Sequence, residues 1–156
     1  MYKFHLSLLV ALMCCAFSHQ RAQRRERTGD PKVDIDLGAL GQRGEHAMFT
    51  EVNSVKLLPQ AVTNEFGGGI VDPGKAFQVT DVGSDKGPSR RLVVAGVAEE
   101  YCLVHYEQGG IVHLWMVALF KLSNGKAKRV WVSRVEPGRN LNLLELKAVV
   151  ESGKLR

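Results

Sequence analysis

The chain has 156 residues and a mass of 17.2 kDa, with 45% hydrophobic and 24% charged residues, which excludes a collagen-like, fully disordered or multi-span membrane protein. Its net charge of +5 is concentrated early, because Lys3, Arg21, Arg24, Arg25 and Arg27 face only Glu26 and Asp30, leaving a net of +2 for positions 31–156. A body this close to neutral lacks the cation density that counterion release requires, so no specific nucleic-acid partner is expected.

Residues 1–18 read as a cleaved signal peptide. One early cation, Lys3, precedes the apolar run Leu6 to Phe17, and Ala16 and Ser18 put small residues where a signal peptidase reads, so cleavage is expected after Ser18. The run is shorter than the roughly 20 residues of a spanning helix, so no permanent membrane span is expected. The four arginines at 21–27 oppose translocation, since positive charge favours the cytoplasmic side. The expected location is secreted or periplasmic. Once the signal is removed only Cys102 remains, and the fold must hold without an internal disulfide.

Residues 19–45 are polar, arginine-rich and punctuated by glycine, and they read as a flexible tail with too little apolar surface to offset the entropy of ordering. Within them the alternation Val33-Asp34-Ile35-Asp36-Leu37 could supply a short edge strand. A single α+β domain is expected over 46–156. Its first element is a short helix from Pro59 to Phe66, with proline in the opening turn and Gly67-Gly68-Gly69 at the stop, followed by a turn at Asp72-Pro73-Gly74. The triple glycine lacks the lysine and hydroxyl of a phosphate loop and reads as a helix stop.

The period then changes to two. Strands are expected at Ala76–Val82, Arg91–Val97, Tyr101–Tyr106, Ile111–Leu122 and Ala127–Val135, joined by short polar connections. Asn124-Gly125 is the strongest join, a type I′ turn that sets Leu122 opposite Ala127, Val117 opposite Val132 and Trp115 opposite Arg134. Ile111–Leu122 is apolar on both faces, so it is covered on both sides, or covered on one and paired through the other with a second copy as a homodimer. Asn142 and Glu145 form a capping box ahead of Leu143, Leu146 and Val150 at helical spacing. The expected fold is α+β: a four- to five-stranded antiparallel β-meander with a short N-terminal helix and a C-terminal helix packing on the sheet.

Polar chemistry concentrates between Glu99 and His113. If Gly109-Gly110 forms a two- or four-residue hairpin loop, Tyr106 lies opposite His113 and His105 points to the other face; only an odd loop brings the two histidines together. Two histidines fall short of a zinc site, so neither metal nor cofactor is expected. Cys102 reads as an inert core thiol, and Glu99 and Glu100 as a solvated turn. The candidate ligand-binding set is Tyr106, Glu107, Gly109, Gly110 and His113: a ring with a hydroxyl, a carboxylate, glycines that let a backbone or ligand approach, and an imidazole that titrates near neutrality. A cross-strand aromatic contact that merely stabilises the hairpin competes with that reading. The function expected from this pattern is a noncatalytic binding or interaction module for an unknown protein or small-molecule ligand. The alternative is a small hydrolase or metal-dependent enzyme at the Tyr106/His113 hairpin rim.

Overall fold

The computed structural model describes residues 32–80, 87–138, 140–153 and 155. The expected signal at 1–18 and the arginine cluster at 21–27 lie outside the described residues. In chain order the elements are β1 (Lys32–Asp36), β2 (His46–Val52), α1 (Gln60–Glu65), β3 (Ile70–Val71), β4 (Arg90–Val97), β5 (Tyr101–Gln108), β6 (Leu114–Ser123), β7 (Lys126–Val135) and α2 (Leu143–Glu151). The strands form one mostly antiparallel sheet in the order β1-β2-β4-β5-β6-β7, and the short β3 pairs in parallel with β4.

Seven strands replace the four or five expected, and the two N-terminal additions have identifiable causes. β1 falls inside the segment read as a tail and is the edge strand that the Val33–Leu37 alternation allowed; Ile35, Leu37 and Leu40 from that segment are buried in the core. The helix α2 holds it, with Lys147 Nζ donating to the Asp34 carbonyl and Glu151 accepting from the Asp36 amide. A few apolar side chains suffice there because a docked helix supplies the other half of the contact. β2 was hidden by its composition: Phe49 is its fully buried residue, Met48 is exposed, and the exposed Glu51, two residues after Phe49, breaks the apolar alternation. Glu51 has a reason to be there, since its carboxylate accepts from the Leu143 amide at 2.8 Å and satisfies a donor at the start of α2.

The expected strand at Ala76–Val82 is not found among the described residues. Thr80 makes a single parallel bridge to Gly110, and the rest of 72–79 crosses the end of the sheet as an irregular strap. The turn at Asn124-Gly125 has φ of 50° and 71°, both in the left-handed region that a type I′ turn requires. Leu122 pairs with Ala127 as the turn dictates, but a bulge at Val130 then shifts the ladder, so that Val117 meets Ser133 and Trp115 meets Val135 instead of Val132 and Arg134.

The two faces of the sheet carry separate cores. Tyr101, Leu103, Val117 and Leu119 pack with Leu143, Leu146 and Val150 of α2, and Trp115 leans on the same cluster. The capping box of Asn142 and Glu145 starts that helix, with reciprocal bonds of 2.9 Å. Close approach of the helix to β4 is possible because Gly96 has no side chain: a Cβ there would lie 2.9 Å from Leu143 Cδ1. Cys102, Val104, Ala118 and Phe120 on the other face pack with Val62 and Phe66 of the α1 region. Each face of β6 therefore packs against apolar side chains from within the chain. No helix among the described residues is long and apolar enough to cross a membrane.

Candidate functional site

The β5–β6 connection runs from Gly109 to His113 and is odd in length, because Gln108 pairs with Leu114, Glu107 with Trp115 and Tyr106 with Met116. Tyr106 and His113 are consequently not opposite one another, which corrects the expected register. The sequence misled here for a physical reason: Ile111 and Val112 look like strand residues but stand 90% and 60% exposed at the tip of the loop.

Tyr106 faces the α1 side. Its ring meets Phe66 edge-on at 5.1 Å, it is buried, and burial raises its phenol pKa while Arg129 and Arg90 pull it down. It belongs to the core. Gly109 and Gly110 do admit a close backbone, but the backbone is the chain's own: Gly110 N donates to Val79 O at 3.1 Å, and a Cβ on Gly109 would lie 1.8 Å from Gln78 O. The strap has already filled the space that the glycines leave.

Glu107 and His113 are brought together on the α2 side. The Nε2–H of His113 donates to Glu107 Oε2 at 2.8 Å. A residue that sequence reasoning missed completes the cluster: Arg91, the cross-strand partner of Glu107, grips the carboxylate through Nε at 2.9 Å to Oε1 and through Nη2 at 2.7 and 2.9 Å to Oε1 and Oε2. The guanidinium lies 4.6 Å from the ring centre of Phe77, which the strap brings over it, and donates weakly to the Lys75 carbonyl at 3.4 Å. His113 stacks on Trp115 with ring centres 4.0 Å apart and meets Phe77 edge-on at 5.7 Å. Glu107 is 4% exposed, so its charge is compensated by a fork of donors in a nearly dry place.

Two clefts flank this cluster. One, of about 460 Å³, includes Arg91, Glu107, Glu51 and Asn142. The other, of about 800 Å³, is lined by Trp115, Leu114, Val135 and Pro137 with His113, Arg134 and Glu136 on its polar side. Apolar walls with a few convergent polar groups are the usual composition of a ligand site.

The remaining candidates resolve individually. His105 is fully buried, and its Nδ1–H donates to the Met116 carbonyl at 3.0 Å. Cys102 is buried, and burial alone pushes its thiol up to about 12. Such a thiol carries almost no thiolate at neutral pH and is a poor nucleophile. Glu99 and Glu100 are exposed between β4 and β5. Among the described residues, no three His, Cys, Asp or Glu side chains converge as a metal-ligand set. A second polar cluster lies near Ala98–Tyr101: Tyr101 donates its hydroxyl to Glu45, while Lys121 sits 3.9 Å from the same carboxylate and 5.4 Å from the tyrosine ring centre. Burial first, and then the bond to Glu45, raises the Tyr101 pKa. This cluster ties the loop before β2 to β5 and β6.

The chain matches no protein-family model and has no significant match among curated proteins or solved structures.

Proposed function

We propose that the protein is an exported, noncatalytic binding module that takes an amphipathic ligand, a small molecule or a protein segment, in the cleft beside His113 and Trp115. The observation that carries this reading is the saturation of Glu107. A carboxylate that accepts three contacts from Arg91 and one from His113 is committed to holding neighbours in place. What the cluster offers to a ligand is rigidity: an imidazole pinned by Glu107 against Trp115 at the edge of an 800 Å³ cleft with mixed walls.

One observation favours the enzyme as a second reading. A histidine whose Nε2–H is held by a carboxylate at 2.8 Å is oriented as a general base would be. Against it, the thiol of Cys102 and the phenol of Tyr106 belong to the opposite face, and no hydroxyl or thiol pairs with His113 among the described contacts. Thermal-shift screening of the chain with amphipathic small molecules and peptides, in parallel with turnover assays on ester, peptide, phosphate and glycoside substrates, decides between the two. The expected result is a ligand that raises the Tm of the unmodified chain but not of His113→Ala or Trp115→Ala, with no turnover in any arm. Turnover lost in His113→Ala and kept in His105→Ala would establish the enzyme instead.

Export rests on the Leu6–Phe17 apolar run with its small residues at 16 and 18. N-terminal sequencing of the protein from its native host is expected to begin at His19 or within a few residues of it. Intact Met1 in the cytoplasm would remove export from the proposal and leave the cleft untouched.

A further inference from the structure

The strand β7 is an edge of the sheet and pairs with β6 alone among the described strands. Along its ten residues it carries Lys126, Lys128, Arg129 and Arg134, all exposed, and no Asp or Glu. The ladder places Lys121 directly opposite Lys128, an arrangement of like charges that costs stability in a sheet. Lys121 is relieved on its other side by Glu45 at 3.9 Å. Among the described residues no carboxylate forms an ion pair with Lys126, Lys128, Arg129 or Arg134.

We propose that the β7 edge captures an extended acidic peptide segment of another protein by strand addition. The outer backbone of an edge strand offers N–H and C=O groups in register for a further strand, and pockets or charges at alternate positions then select the sequence. Lys126 and Lys128 project to the α2 side of the sheet, as do their partners Ser123 and Lys121, whereas Arg129, opposite Phe120, projects to the α1 side. A strand with an acidic residue at every second position sets its carboxylates beside Lys126 and Lys128 and supplies Lys128 with the counter-charge that Glu45 already gives Lys121. The same lysines keep two β7 edges apart, since that pairing would set cation against cation. Nucleic acid fits less well: the cations are divided between the two faces of one strand, and positions 31–156 as a whole carry only +2. The β1 edge of a second copy, with exposed Asp34 and Asp36, is the remaining competitor; because β1 and β7 are opposite edges of one sheet, that pairing would propagate into open polymers.

The test uses the full chain and a fluorescein-labelled ten-residue peptide of alternating Glu and Thr, titrated by anisotropy. Expected are saturable binding, slowed hydrogen exchange of β7 amides in the complex, about tenfold weaker binding to the exposed double variant Lys126→Glu/Lys128→Glu, and loss of binding when alternate peptide amides are N-methylated. Four results would overturn the proposal: no saturation by about 1 mM peptide, unimpaired binding of the N-methylated peptide, tighter binding of a ten-nucleotide oligothymidylate that displaces the peptide, or polymerisation of the chain alone that the double variant abolishes.

Discussion

Replacing Glu107 by alanine is expected to lower the unfolding free energy by about 3 kcal/mol, near the lower end of the cost of breaking a buried ion pair. The carboxylate is 4% exposed and receives the Arg91 fork and the His113 Nε2–H, so its removal leaves three donor nitrogens, Arg91 Nε and Nη2 and His113 Nε2, without this acceptor. The side chains of Arg91 and His113 are 29% and 27% exposed, and partial hydration of both keeps the loss below that of a fully dry pair. Urea unfolding with an unchanged m-value measures the difference. A double-mutant cycle with Arg91→Ala separates the contact from simple truncation, and a coupling of about 1–3 kcal/mol is expected for groups this close. A loss under about 1 kcal/mol for Glu107→Ala would mean that water already serves the cluster, and the rigidity assigned to His113 would lose its support.

The same residues show what a sequence can and cannot display about a site. Glu107 and His113 were both visible as candidates because they stand within one hairpin, where chemistry and position are local. Arg91 lies sixteen residues before Glu107 and meets it only through strand pairing, so no spacing rule could single it out from the other arginines. The pairing of Tyr106 with His113 rested on an even loop, and it fails because Ile111 and Val112, two apolar residues that hydropathy counts as strand, are left in solvent in a five-residue loop. Elements with self-contained signals were legible: the Asn124-Gly125 turn rests on two left-handed φ angles, and α2 starts at the capping box of Asn142 and Glu145. β2 was not, because it hides behind a Glu51 that makes sense only when the α2 amide arrives. β1 showed as the Val33–Leu37 alternation, but its place in the core depends on the distant Lys147 and Glu151. The bulge at Val130 left no recognisable mark either, since one extra residue in a long edge strand preserves its composition.

Gly109→Ala tests how firmly the strap is tied over this cluster, and its expected effect is a loss of about 3 kcal/mol or detachment of the strap. The new Cβ would lie 1.8 Å from Gln78 O and 2.8 Å from both Gln78 C and Val79 Cα. Backbone cannot swing aside as a flexible side chain does, so the two segments must separate. Separation breaks the bond of 3.1 Å from Gly110 N to Val79 O and strains those from Gly109 N to Ser89 O and from Gln78 N to Pro88 O. It also withdraws Phe77 from the Arg91 guanidinium and the His113 ring, so the damage reaches the proposed binding cleft without altering any residue that lines it. Hydrogen exchange read by mass spectrometry should then show faster exchange at Gln78 and Gly110, while the β5 and β6 amides further along the sheet stay protected. Gly87→Ala is the matched control, because among the described residues a Cβ there meets nothing within 4 Å. If Gly109→Ala proved as stable as Gly87→Ala and kept its strap protected, the close approach of Gln78 to Gly109 would not be a feature of the folded protein, and the glycine pair would again be open to a ligand.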